Sequence, residues 1–203
     1  MKCKGLLFLG CMLSTSFGFA QKTKSVEKTH GINVGEIVMP FSAQDQHDST
    51  FVLADALAKG PVVVVFYRGQ WCPYCNRHLA ELQDNFKLIE EKGATIVAIS
   101  PENQVSLKKT VEKTNVQFTL LFDENYEICR DFDVLFVPTN TQVAKYDSFL
   151  GADLSNAHSN ETILLPVPAT FIIDQSGVII WRQFDQNYKE RSTVEEILKQ
   201  IEL

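Results

Sequence analysis

The sequence predicts one α/β domain with a central mixed β-sheet flanked by helices. Three observations carry that prediction. Between residues 62 and 99 a buried strand, an amphipathic helix and a second buried strand follow one another. A turn signature at residues 174–177 joins two short β-branched runs, and the chain closes with a capped amphipathic helix. With 45% hydrophobic and 22% charged residues among 203, the composition excludes a disordered polymer, a collagen-like repeat and a disulfide-dense miniprotein.

Residues 1–20 read as a secretory signal peptide. Lys2 and Lys4 precede a mostly apolar run over residues 5–13, and Gly18-Phe19-Ala20 fits a small-x-small cleavage site. An uncleaved anchor would need about 20 apolar residues, and residues 5–20 include Ser14, Thr15 and Ser16. Lipid attachment at Cys11 would leave only six residues of apolar run before it, below the roughly 7–15 of a normal core. The expected product is exported, periplasmic or secreted. It has a flexible arm over residues 21–33 and a domain over residues 34–203. Loss of the two leader lysines takes the formal net charge from −6 to −8, so no basic face is offered to nucleic acid. No later run approaches the roughly 20 apolar residues of a stable membrane span.

The elements follow in order. Val62-Val63-Val64-Val65-Phe66 is a continuous β-branched run, expected as a strand buried on both faces. Leu79, Leu82, Phe86 and Ile89 recur at helical steps, and Gly93 supplies a left-handed cap. Residues 94–99 form the next strand. Ser100 and Pro101 read as N-cap and first residue of a helix reaching Thr114, followed by a short strand over residues 118–122. Residues 134–167 are an extra segment holding a helix that starts at a Thr139–Gln142 capping box and stops at Gly151. The strands at residues 170–173 and 178–181 flank Asp174-Gln175-Ser176-Gly177. Ser192 and Glu195 are expected to cap the last helix, with Val194, Ile197, Leu198 and Ile201 on one face.

The leader takes Cys3 and Cys11 with it, leaving Cys72, Cys75 and Cys129, an odd number that fits a stapled framework poorly. Cys72 and Cys75 stand in Trp71-Cys72-Pro73-Tyr74-Cys75, between a strand and a helix. A helix N-terminus offers partial positive charge and unpaired N–H groups, which favour the reactive thiolate. Pro73 stiffens the turn, and Trp71 shields one side while leaving the pair at the surface. Other readings compete. Zinc would need a fourth ligand beyond Cys72, Cys75 and His78, and haem attachment needs His where Asn76 stands. A static disulfide suits an exported protein. No cofactor or metal is therefore expected. His78 reads as a helix-surface residue rather than a base, and Cys129 as a small core hydrophobe rather than a resolving thiol.

Three stretches now form a pattern. They run from Val65 to Asn76 (VFYRGQWCPYCN), from Ala98 to Glu102 (AISPE) and from Leu165 to Asp174 (LPVPATFIID), in that order and with the right elements between. Together they resemble a peroxiredoxin-like branch of the alkyl hydroperoxide reductase/thiol-specific antioxidant family, over nearly the whole chain from about Val34. The resemblance implies a thioredoxin-like fold with an inserted segment before the late hairpin. It also implies thiol-based redox activity. In that family Pro-x-x-x-Thr/Ser-x-x-Cys ends in the peroxide-attacking thiol. On this chain that position is Cys75, with Cys72 at the Thr/Ser place and Arg68 at the Pro place. The family's distant Arg falls at Pro168. Thioredoxins, which share Trp-Cys-x-x-Cys opposite a cis proline, use the first Cys, here Cys72.

The resemblance therefore implies a thiol-dependent peroxidase. Its substrate is a hydroperoxide and its electrons come from a thioredoxin-like or other dithiol donor. Cys75 is expected to attack and Cys72 to resolve, with Arg68 steadying charge. A thiol–disulfide oxidoreductase acting on exported proteins is the alternative. In it Cys72 attacks, Cys75 releases the mixed disulfide, and Val167-Pro168 holds the partner backbone. A binding module with an idle cysteine pair is the third reading.

Overall fold

The computed structural model describes residues 24–201; the expected signal peptide lies outside the described residues. Ser42–Asp45 (β1) and Thr50–Val52 (β2) form a hairpin, followed by Leu53–Leu57 (α1) and the predicted strand Val62–Phe66 (β3). Pro73–Asp84 (α2) and Phe86–Glu91 (α3) lead to Thr95–Ser100 (β4), then Gln104–Thr114 (α4) and Thr119–Phe122 (β5). Glu127–Asp131 (α5), Leu135–Phe136 (β6), Asn140–Leu150 (α6), Leu154–Ala157 (α7) and Leu165–Pro166 (β7) make up the extra segment and its approach. Ala169–Ile173 (β8), Ile179–Phe184 (β9) and Val194–Gln200 (α8) finish the domain.

Seven strands form one mixed sheet in the order β2-β1-β5-β4-β3-β8-β9, and β6 pairs with β7 apart from it. β3 is an inner strand, parallel to β4 (Val64↔Val97) and antiparallel to β8 (Val64↔Phe171). Its alternating side chains feed two cores. Val63, Val65 and Tyr67 face Leu79, Leu82, Ile89, Leu107 and Ile197 of α2, α3, α4 and α8. Val62, Val64 and Phe66 face α1 and α5, where the rings of Phe66, Phe132 and Phe171 meet at 4.9–5.9 Å. Because both faces are covered, β3 can be a run of apolar residues without alternation. Truncating a side chain such as Leu79, fully buried here, costs about 2–5 kcal/mol in such cores.

Several sequence expectations change at element ends. The helix over residues 79–89 is two helices, because Asn85 turns its Nδ2 back to the Glu81 carbonyl (2.9 Å) and leaves helical geometry at ψ 10°. Ser100 does not cap α4. It stays in the β4–β5 ladder opposite Phe122, and Asn103 caps instead, accepting from the Ser106 N–H at 3.2 Å. Ser192 and Glu195 do not cap α8, since Ser192 is buried. Thr193 and Glu196 form the capping box one residue later. The Thr139–Gln142 box and the left-handed Gly151 stop occur as predicted.

Part of the expected flexible arm makes contacts with the domain. From residue 24 the chain lies against the domain: Lys24 pairs with Asp133 at 2.5 Å, and Arg182 Nη1 donates to the carbonyls of His30, Gly31 and Ile32. Among the described residues no helix is long and apolar enough to cross a membrane.

Candidate active site

β3 delivers the site. After Phe66 the ladder continues one residue, with Tyr67 N–H donating to the Ile99 carbonyl at 3.1 Å, and the chain then turns into α2. Gly69 permits the turn. Its φ is +153°, and a Cβ there would lie 2.4 Å from the Glu102 carboxyl group and 2.6 Å from Trp71 Nε1. Glu102 grips the turn from the β4–α4 connection, accepting the Gln70 N–H at 2.7 Å. Lys113 of α4 donates to the Gln70 carbonyl at 3.1 Å and also to its side-chain oxygen.

Cys72 is the N-cap of α2 and its sulfur accepts the Cys75 N–H at 3.3 Å. Pro73 follows in the first turn, where its missing N–H leaves no helix bond unmade. Arg68 Nη2 donates to Cys72 Sγ at 3.4 Å, and its Nη1 donates to the Tyr146 hydroxyl at 3.1 Å. That guanidinium sits 4.2 Å from the Tyr188 ring centre, 5.1 Å from Trp71 and 5.2 Å from Tyr146. Trp71 and Tyr146 stack at 4.7 Å. Tyr146 belongs to α6, so the extra segment completes the wall around Arg68.

These contacts separate the two thiols. Cys72 is lowered to about 5. The hydrogen bond from Cys75 is the largest cause, followed by the charge and hydrogen bond of Arg68 and by the Cys75 backbone N–H; burial opposes them. Cys75 is pushed well up, first by burial and then by its hydrogen bond to Cys72 and the charge of that thiol; Arg68 and Arg191 pull the other way. Arg191, on the β9–α8 connection, reaches Cys75 Sγ at 3.8 Å. These causes favour the anion on Cys72 and the protonated form of Cys75, and none of the three described cysteines is in a disulfide.

Arg68, Trp71, Cys72, Pro73 and Cys75 thus come together as the sequence suggested. Other expectations need correction. The pair is not at the surface, since Cys72 is 0% and Cys75 1% exposed; the charge and apolar cover that tune them also close over them. His78 is not a surface residue. It is buried with Nε2 3.2 Å from Ser192 Oγ, and burial, then the charge of Arg191, lowers it to about 4. The Val167–Pro168 peptide is trans, not cis, the isomer that X–Pro bonds ordinarily favour. Val167 does not offer its N–H to a partner backbone, because that group donates to the Val134 carbonyl at 2.7 Å. Pro168 is buried just before β8, one step beyond the Phe66↔Ala169 pair. Cys129 is a core residue, as expected, on the opposite face of the sheet from the pair.

Tyr146, Tyr188, Glu102 and Arg191 carried no signal of a site role in the sequence. Glu102 stood inside a recognised stretch, yet its burial against Gly69 is a tertiary fact. Burial raises its carboxyl to about 8, partly offset by the Gln70 N–H. Among the described residues no group of three or more His, Cys, Asp or Glu is placed to hold a metal ion.

Known proteins are similar to this chain in sequence and in fold. Peroxiredoxin Bcp of Bacillus subtilis is 27% identical over 75% of this chain and 86% of its own. Thiol-disulfide oxidoreductase ResA of Bacillus cereus is 24% identical over 99% of both chains. The crystal structure of peroxidoxin BcpB from Mycobacterium tuberculosis superposes with a TM-score of 0.64, covering 84% of this chain and 96% of that one at 21% identity. The profile of the AhpC/TSA family matches residues 34–182, from the segment before β1, through the cysteine turn, into β9. A match over that much of the domain, around a sheet that delivers a paired thiol to a helix N-terminus, makes the chain a member of the AhpC/TSA family.

Proposed function

We propose that the protein is a thiol-dependent peroxidase that reduces hydroperoxides through the Cys72–Cys75 dithiol. The observation that carries this reading is the Cys72 sulfur at the N-cap of α2, 3.4 Å from the Arg68 guanidinium and backed by Cys75. The order of the sulfurs proposed here reverses the one the family motif implies. Cys72 is the acidified thiol and Cys75 the protonated one, so Cys72 attacks and Cys75 resolves.

The Cys72 thiolate attacks the terminal peroxide oxygen. An S–O bond forms and the O–O bond breaks; the attacked oxygen keeps its proton as the sulfenic acid on Cys72, and the alkoxide takes a proton from water to leave as alcohol. The Cys75 sulfur then attacks Cys72. The S–S bond forms, and hydroxide departs with the Cys75 proton as water. An external dithiol returns two electrons by thiol–disulfide exchange. Arg68 holds negative charge on Cys72 and on the departing oxygen. Because Cys72 is fully buried, the side chains around Arg68 must give way to admit a peroxide. The signal-peptide reading of residues 1–20 adds the proposal that this occurs in a periplasmic or extracellular compartment, where the donor is a thioredoxin-like or other dithiol.

Full-length similarity to ResA favours one second reading, a thiol–disulfide oxidoreductase acting through the same Cys72. Peroxide consumption by reduced protein separates the two, with Cys72→Ser and Cys75→Ser compared. Under the peroxidase reading, Cys75→Ser consumes one equivalent and is labelled by dimedone on Cys72, while Cys72→Ser is inert. Labelling on Cys75 in Cys72→Ser would restore the motif-based order. If neither variant is oxidised and Cys75→Ser traps mixed disulfides with proteins, the oxidoreductase reading replaces it.

A further inference from the structure

We propose that Arg191 is a catalytic residue for Cys75: it receives negative charge on that sulfur each time the Cys72–Cys75 bond opens. The inference rests on the dithiol reading above. Cys75 is 1% exposed, so water gives its anion no support. Arg68 directs Nη2 to Cys72 and Nη1 to Tyr146. The guanidinium within reach of Cys75 Sγ is Arg191, at 3.8 Å.

Its position is constrained by the two residues that follow it. Ser192 hydrogen-bonds Thr170 of β8 at 2.8 Å and lies 3.2 Å from His78 of α2. Thr193 caps α8. The backbone carrying Arg191 is therefore pinned to the helix that carries Cys75. The arginine also bonds the Glu190 carbonyl through Nη1 at 2.7 Å.

The other charged and titratable groups around Cys75 are Cys72 and Arg68, Tyr67 at the end of β3, Glu102 beyond it, and His78. Tyr67 and Glu102 would repel a thiolate if ionised. His78 is held neutral by burial. Arg68 bonds Cys72 and its charge also favours an anion on Cys75, while Arg191 adds a hydrogen bond to the Cys75 sulfur itself. The motif carry-over sought its distant cation at Pro168; here a residue of the β9–α8 connection stands beside Cys75 instead.

The step is thiol–disulfide exchange. A donor thiolate attacks Cys72 Sγ, a new S–S bond forms between donor and Cys72, and the old bond breaks. Cys75 leaves with the electron pair, and Arg191 faces the resulting anion. A leaving thiol of lower pKa departs faster, so the reductive half-reaction is the sensitive one.

The test uses Arg191→Gln and Arg191→Lys in the full chain. In a Cys72→Ser background, the pH midpoint of Cys75 alkylation by iodoacetamide should rise by about one unit in Arg191→Gln and recover in part in Arg191→Lys. In the otherwise intact protein, dithiothreitol reduction of the disulfide form should slow by about tenfold, and hydrogen peroxide oxidation by much less. An unchanged midpoint overturns the proposal. Equal slowing of both half-reactions does too, since that marks a general structural defect. Neither the titration nor the dithiothreitol step needs peroxidase activity, so failure of the peroxidase reading would show separately, as reduced protein that ignores peroxide.

Discussion

Replacing Arg68 by Met removes one charge from beside Cys72 while keeping a long apolar stem against Trp71, Tyr146 and Tyr188. The thiol stands about four units below its reference value, which corresponds to about 5 kcal/mol in favour of the thiolate. A unit charge about 4 Å away contributes about 4 kcal/mol at an effective dielectric near 20. The Arg68 contact is 3.4 Å, but its charge is spread over the guanidinium and shared with Tyr146, so half that value is appropriate. The Cys75 hydrogen bond survives the substitution. Arg68→Met should therefore raise the Cys72 midpoint by about 1.5 units, to between about 6 and 7. At about pH 5.5 alkylation by iodoacetamide then slows several-fold, and near pH 9 the two proteins converge. The sign for stability follows from the depressed folded value. Thiolate stabilisation is present above the unfolded pKa and is lost as pH falls through about 5. The variant should therefore lose most stability at alkaline pH and none below about pH 5. A midpoint that moves by less than about half a unit would refute the assignment of Arg68 as a principal source of acidity.

Two further outcomes test the frame of the site. Glu102 has a folded pKa raised to about 8, so its stabilising protonation is complete below its reference value of 4.5 and is lost as pH rises through 8. Glu102→Gln should gain about 2–4 kcal/mol over the parent near pH 9 and little near pH 5 in urea unfolding; parallel pH profiles would contradict the buried-acid account. Gly69→Ala should cost at least about 2–3 kcal/mol, because its methyl meets the Glu102 carboxyl group at 2.4 Å. A loss below about 0.5 kcal/mol would mean that the turn shifts freely.

By itself the sequence determined the features that depend on neighbours a few residues apart. The valine run of β3 specifies a strand buried on both faces, and the Cys72-Pro73-Tyr74-Cys75 order places an N-cap sulfur ahead of a helix. The Thr139–Gln142 box and the Asp174–Gly177 turn are equally local, the latter closed by Asp174 Oδ1 accepting from Ser176 and Val178. Where two adjacent residues could each do a job, local chemistry did not choose. Thr193 caps α8 because Ser192 is engaged by Thr170 and His78, partners 22 and 114 residues away. The tertiary structure also decided how the two sulfurs differ. Their acidity depends on burial and on the charges of Arg68, which follows β3 and is held by Tyr146 of α6, and of Arg191 on the β9–α8 connection, and electrostatic interactions act through space between residues that the chain order keeps far apart.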